Sequence, residues 1–284
     1  MTYKEYENPE ELRKLQLISV DLLKEFDRVC EILDIPYFLY SGTALGAVRH
    51  KGFIPWDDDI DLGMLRKDYD RFLSEAPKVV GDDYEVVNAL SAPHFPACNA
   101  NLSLRGTYCV PEEFANCPYQ YAIGLGLYAF DYVVDDEKLF RRQCRRTWFW
   151  GRLSFLRATP KPHLSLRGWK RVLASAACYA AHGCMKLIHL SPQWIYMKWE
   201  KAATQYNDRG GDLVADFADR DPLTWSARID ELFPTKRVEF EGLILPTARE
   251  DDAMLTREYG DYMQLPPLDD RKNHYPSRLD FGNR

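Results

Sequence analysis

The chain has 284 residues, enough for one to two domains and for a core that needs no disulfide or metal staple. Hydrophobic residues make up 46% and charged residues 28%, with 37 Lys+Arg against 43 Asp+Glu for a net charge of −6. That balance excludes a disordered or fibrous chain and argues against a general nucleic-acid binder.

In chain order, Asn8-Pro9 followed by Glu11 reads as an N-cap, a first-turn proline and an acidic first turn. Leu15, Ile18, Leu22, Phe26, Val29 and Leu33 then recur at helical spacing and predict an amphipathic helix ending before Pro36. A short strand over 37–40, a turn at Ser41-Gly42, a helix over 43–50 and a loop over 51–56 follow. Next come a strand over 59–64 and a helix over 66–75. Strands are expected at 84–88, 101–110 and 123–134, and helices at 138–156, 166–190 and 193–206, with a proline-containing turn over 158–162. A hairpin-like pair at 237–240 and 243–245, a helix over 248–259 and a Pro-rich tail close the chain. The order predicts an α+β (mixed α/β) fold with a helical insertion.

The charge is unevenly spread. Residues 137–200 hold thirteen Lys/Arg and two Glu, a net of +11, so the remaining 220 residues carry −17. The basic stretch mixes Arg141, Arg142, Arg145, Arg146, Arg152 and Arg157 with Trp148, Phe149, Trp150, Phe155, Trp169, Trp194 and Trp199. Cations interleaved with aromatics suit either a peripheral contact with an anionic membrane or a subdomain whose arginines pair with the acidic body. No nucleic-acid recognition motif accompanies them. There is no secretory signal, the uncharged run 172–185 is too short to span a bilayer, and seven cysteines without a CxxC pair suggest no disulfide framework. The expectation is a cytoplasmic chain, peripheral at most to the inner face of a membrane.

The chemistry concentrates in 37–64. Asp59 and Asp61 leave the same face of an expected strand, and two adjacent carboxylates are costly unless a cation lies between them. Hard oxygen ligands suit Mg²⁺ or Mn²⁺, which bridge to phosphates. Upstream, the Gly42-Thr43 turn opens a helix whose N–H groups can cradle an anion. Arg49, His50 and Lys51 supply cations, and Arg105, Arg271 and His274 are further candidates to reach a phosphate. Asp131, at the end of an apolar strand, is the best third carboxylate. Asp57 and Asp58 read as solvated surface.

The stretch from Gly42 through Ala44-Leu45-Gly46-Ala47-Val48-Arg49-His50-Lys51-Gly52-Phe53-Ile54-Pro55-Trp56 to Asp57-Asp58-Asp59-Ile60-Asp61 resembles the signature of the LicD family. That family includes bacterial phosphocholine transferases and is related to fukutin and fukutin-related protein. Asp68-Tyr69 with Phe72, the strand ending in Asp131, and Tyr259-Gly260-Asp261-Tyr262 with Pro266-Pro267, Arg271 and His274 extend the resemblance. The element after Asp131 lacks the family's usual Phe-Pro. The resemblance implies a nucleotidyltransferase-like core (1–136), a basic helical insertion (137–208) and a C-terminal part packing back on the core (209–284). It also implies transfer of a phospho-alcohol from a CDP-activated donor to a glycan or lipid-linked glycan hydroxyl. Asp59, Asp61 and Asp131 would then ligate the metal. A sugar-nucleotide glycosyltransferase or a nucleotidyltransferase using the same acids is the alternative.

Overall fold

The computed structural model describes residues 3–92, 94–161, 166–219 and 221–284. Helix α1 (Pro9–Leu33) starts where Asn8 accepts the Glu10 N–H, and buries Leu15, Leu22, Leu23, Phe26 and Val29. Strand β1 (Phe38–Leu39) leads into α2 (Ser41–His50), β2 (Asp61–Leu65) and α3 (Arg66–Glu75). Then follow β3 (Tyr84–Val87), β4 (Ala100–Leu104), β5 (Tyr108–Pro111) and the long β6 (Gly124–Tyr132). The single strand expected over 101–110 is two, because Arg105-Gly106 turns the chain and Gly106 sits at φ +76°.

Three helices come next, α4 (Glu137–Ala158), α5 (Gly168–Leu187) and α6 (Pro192–Ala203). The turn expected over 158–162 runs to Pro162, which lies outside the described residues. The C-terminal part adds β7 (Leu213–Asp216), β8 (Ser226–Arg228), the short α7 (Ile229–Leu232), the hairpin β9 (Lys236–Phe240) and β10 (Leu243–Thr247), α8 (Asp251–Tyr259) and β11 (Pro276–Asp280). β7, β8 and β11 were not anticipated; they are short and carry little alternation of polarity.

The fold is mixed α/β around a mixed sheet of order β3-β4-β6-β2-β1-β10-β9, with β7 and β8 branching from β6. β6 is central. It runs parallel to β2, pairing Asp61 with Gly126, and antiparallel to β4 along its first half and β7 along its second. β7 to β10 thus share one sheet with β1 to β4 and β6. One core forms between α1 and the sheet, around Phe26, Phe72, Leu62, Leu125 and Leu127; a second joins β7 to α4 and α6 through Phe140, Tyr196, Trp199 and Phe217. Burying each such side chain is worth about 1.5–3 kcal/mol. β11 pairs with β5 in a separate ribbon that brings the tail back over the N-terminal segment. No helix among the described residues is long and apolar enough to cross a membrane.

Candidate active site

A cavity of about 820 Å³ lies beside the acid-rich segment. After a turn closed by Asp57 N–H donating to the Ile54 carbonyl (2.9 Å), the chain is extended and its side chains alternate. Asp58 and Ile60 are buried and Asp57, Asp59 and Asp61 half-buried; all four carboxylates line the cavity. Asp61 is fixed at its backbone: its N–H donates to the Thr43 hydroxyl (2.9 Å) and its carbonyl accepts the Tyr40 N–H (3.0 Å). Two glycines make room for the carboxylates. A Cβ on Gly126 would lie 2.5 Å from Asp61 Oδ1, and one on Gly42 would lie 2.8 Å from Asp57 Oδ2.

The tail supplies the counter-charge. His274 Nδ1 lies 3.0 Å from Asp59 Oδ2 and 3.8 Å from Asp58 Oδ1, and its backbone N–H donates to Asp58 Oδ1 (2.8 Å). Tyr6 donates to the other Asp58 oxygen (2.8 Å), and Asn273 exchanges hydrogen bonds with the backbone of Lys4 (3.0 and 2.8 Å). Both ends of the described chain are thereby tied down beside the acids.

The electrostatics follow from this crowding. Burial, then the Asp59 and Asp58 charges, push Asp57 well above the usual carboxylate range, and burial with the Asp59 charge does the same to Asp61. Asp58 is pushed up to about 6 by burial and by Asp59. Burial also opposes ionisation of Asp59, but the His274 charge and contact outweigh it and hold the group low. His274 is raised to about 10: burial would lower it, and Asp59, Asp58 and Asp61 win. Asp58, Asp59 and His274 bring ligand atoms within 4.8 Å of one another, an arrangement compatible with a divalent ion. Asp58 and Asp57 are therefore corrected from solvated surface to parts of the acid cluster.

Other expected site residues divide. Gly42, Arg49 and Arg271 line the cavity. Arg49 Nη1 donates to the Tyr262 carbonyl, and Arg271 lies with its guanidinium 4.0 Å over the buried Trp56 ring. Thr43 is buried, and its N–H is already given to the Tyr40 carbonyl (3.1 Å), so its part is to position Asp61 rather than to bind an anion. His50 accepts the Arg49 Nε–H (2.9 Å) and does not line the cavity. Lys51 caps α2 on the outside, 3.4 Å from Glu239, and Arg105 pairs with Glu85 (3.5 Å) on an exposed turn; neither reaches the cavity.

Asp131 requires the largest correction. It is fully buried and does not line the cavity; both oxygens accept from Arg66 (2.8 Å each), and Oδ1 also accepts from Asn207 (2.8 Å). Its polar position on an apolar strand is answered by an arginine, not by a metal.

The sequence reading also missed two walls. Helix α4 contributes Thr147, Trp148, Arg152 and Phe155, so the basic segment borders the cavity directly. Tyr128, Trp225, Tyr259 and Asp219 line it as well. Trp225 stacks edge-on against Tyr40 (4.9 Å) and Tyr259 (6.1 Å). Tyr128 follows Gly126 by two residues on β6, a same-face spacing that was legible in the sequence. Trp225 and Asp219 carried no signal.

Residues 34–89, which hold the turn, α2 and the acid segment, match the profile described as "LicD/FKTN/FKRP, nucleotidyltransferase domain". Over 271 residues, 93% of this chain and 96% of the relative, the sequence is 27% identical to the lipopolysaccharide cholinephosphotransferase LicD of Haemophilus influenzae. The chain is LicD-like. A shorter similarity is found to the ribitol 5-phosphate transferase FKRP of Homo sapiens, 48% over 40 residues (14% of this chain, 8% of the relative). The ribitol-5-phosphate transferase FKTN of Mus musculus is 41% identical over 49 residues (17% of this chain, 11% of the relative). The relatives so named are transferases of a phosphorylated alcohol, and a transferase is the class that they support for this LicD-like chain.

Proposed function

We propose that the chain is a divalent-metal-dependent transferase that moves phosphocholine from CDP-choline to a hydroxyl of a cell-surface glycan or its lipid-linked precursor, releasing CMP. The observation that carries the reading is the convergence of Asp57, Asp59 and Asp61 on one cavity with His274 as the cation in contact. The donor set fits a metal: hard carboxylates crowd one cavity, Asp58 and Asp59 bring ligand oxygens within 4.8 Å of each other, and Asp57 and Asp61 beside them resist ionisation for want of positive charge. These residues would hold Mg²⁺ or Mn²⁺, which when bound supplies positive charge to pyrophosphate oxygens.

The chain's own groups do the rest. Arg49, Arg271 and Lys272 line the same cavity and offset phosphate charge. A carboxylate of the cluster accepts the proton of the attacking hydroxyl. The new acceptor O–P bond forms as the bridging P–O bond to CMP breaks, and the donor must lie so that the two are in line. The Tyr128, Trp225 and Tyr259 wall with Asp219 suits a quaternary ammonium, which binds aromatic faces and nearby negative charge. A polyol would instead call for paired hydroxyl partners.

On this reading 1–136 and 209–284 form one catalytic unit of nucleotidyltransferase type, with 137–208 inserted, working at the inner face of a membrane. The test is product analysis with purified chain, Mg²⁺ and CDP-choline, CDP-ribitol or CDP-glycerol. CMP release favouring CDP-choline is expected. Release of UDP or GDP from sugar nucleotides would identify a glycosyltransferase instead, and pyrophosphate from a nucleoside triphosphate a nucleotidyltransferase.

A further inference from the structure

Helix α5 is built inside out. Its half-buried or buried residues, Ala174, Ser175, Cys178, Ala181, His182 and Met185, share one face and rest on α4, where His182 Nδ1 lies 2.8 Å from the Leu156 carbonyl. Just past the helix, the Leu190 carbonyl accepts from Arg157 (2.8 Å) and pins that end to the same neighbour. The opposite face carries Trp169, Val172, Leu173, Ala176, Ala180 and Leu187, at the spacing of a helical stripe. Trp169 is 72%, Val172 70% and Leu187 79% exposed. A surface helix normally turns such a stripe inward; this one shows it to solvent. Two buried residues in twenty give the helix little packing of its own, and most helical stability in proteins comes from packing an apolar face.

We propose that this outward stripe lies in the surface of an anionic bilayer. Charge decides the occupant. From Leu166 to Leu190 the described residues include Arg167, Lys170, Arg171 and Lys186 and no Asp or Glu, and an aromatic beside cations is the composition of an interfacial helix. The helix is too polar to cross the membrane and suited to lie on it. The contact is narrower than the whole basic segment: Trp199 is buried, and Trp150 packs on Trp194 (5.7 Å), so neither end of α6 belongs to the stripe. Because α4 carries α5 on one side and lines the cavity on the other, docking sets the cavity's α4 wall close to the lipid surface.

The test needs no donor, so it stands apart from the transferase reading. Purified full chain is sedimented with vesicles of phosphatidylglycerol and phosphatidylcholine in equal parts, and with phosphatidylcholine alone. Preferential binding to the anionic vesicles is expected. The triple variant Trp169→Ser, Leu173→Ser, Leu187→Ser, folded by circular dichroism, should lose about tenfold or more of that binding. Lys170→Glu should lose about fivefold or more and weaken its salt dependence. Wild-type chain left in the supernatant with anionic vesicles overturns the proposal, as does a triple variant that binds like wild type. A wild-type dimer that the triple variant dissociates, with no lipid binding by either, would assign the stripe to a second copy.

Discussion

Two sets of carboxylates stand a few residues apart along the paired strands β2 and β6, and the chain treats them in opposite ways. Asp131 has both oxygens engaged by Arg66 and a third bond from Asn207, deep in the protein. Asp57, Asp59 and Asp61 open on a cavity, repel one another, and meet positive charge at His274. The same residue type on neighbouring strands is structural in one place and ligand-seeking in the other. What separates them is how much counter-charge the fold supplies: one arginine answers the single carboxylate Asp131, whereas one imidazole answers the whole acid cluster.

The contrast can be broken at either side. Asp61→Asn should lower transferase activity on the order of a thousandfold while leaving the urea midpoint unchanged or higher, since it removes repulsion and keeps an oxygen that can accept from Tyr128. Full activity of this variant would merge the two sets. Arg66→Met should do the reverse, costing about 3–5 kcal/mol of unfolding free energy by stranding Asp131. The double variant Arg66→Met, Asp131→Leu should recover most of that loss in urea denaturation.

A third carboxylate sharpens the comparison. Asp216 on β7 is buried and pushed up to about 8, by burial first and then by Asp219. Between about pH 4 and pH 8 the unfolded chain releases a proton that the folded chain keeps, so stability falls as pH rises through that window and levels above it. Asp216→Asn should remove that slope, read from urea midpoints at the two limits. The smallest effect belongs to the exposed Arg105–Glu85 pair: Arg105→Ala should stay within about 0.5 kcal/mol of wild type.

Much of the fold was readable because its elements are long or strongly punctuated. The α1 stripe from Leu15 to Leu33, the Asn8-Pro9 start and α3 over Arg66–Glu75 all follow from local signals. β7, β8 and β11 did not show, since strands of three to five residues are stabilised by pairing with distant partners such as Phe130 or Val110. Of the site, Asp59, Asp61, Gly42, Arg49, Arg271 and His274 were nominated from the sequence and lie at the cavity. Asp131 was misassigned because spacing shows that a buried polar residue needs a partner without naming it. Arg66, the answer, lies 65 positions upstream. Asp57 and Asp58 were passed over because a run of three acids gives no sign of which side chains turn inward.

The bond between His274 and Asp58 joins positions 216 apart. Among the described residues few hydrogen bonds close a longer loop, and closing it costs chain entropy before the contact is gained, which favours its forming late. Through most of folding, then, the acid segment waits without the imidazole that balances it. On the metal reading proposed above, a divalent cation would balance the acids before the tail docks, so refolding should be faster in Mg²⁺ or Mn²⁺ than without either.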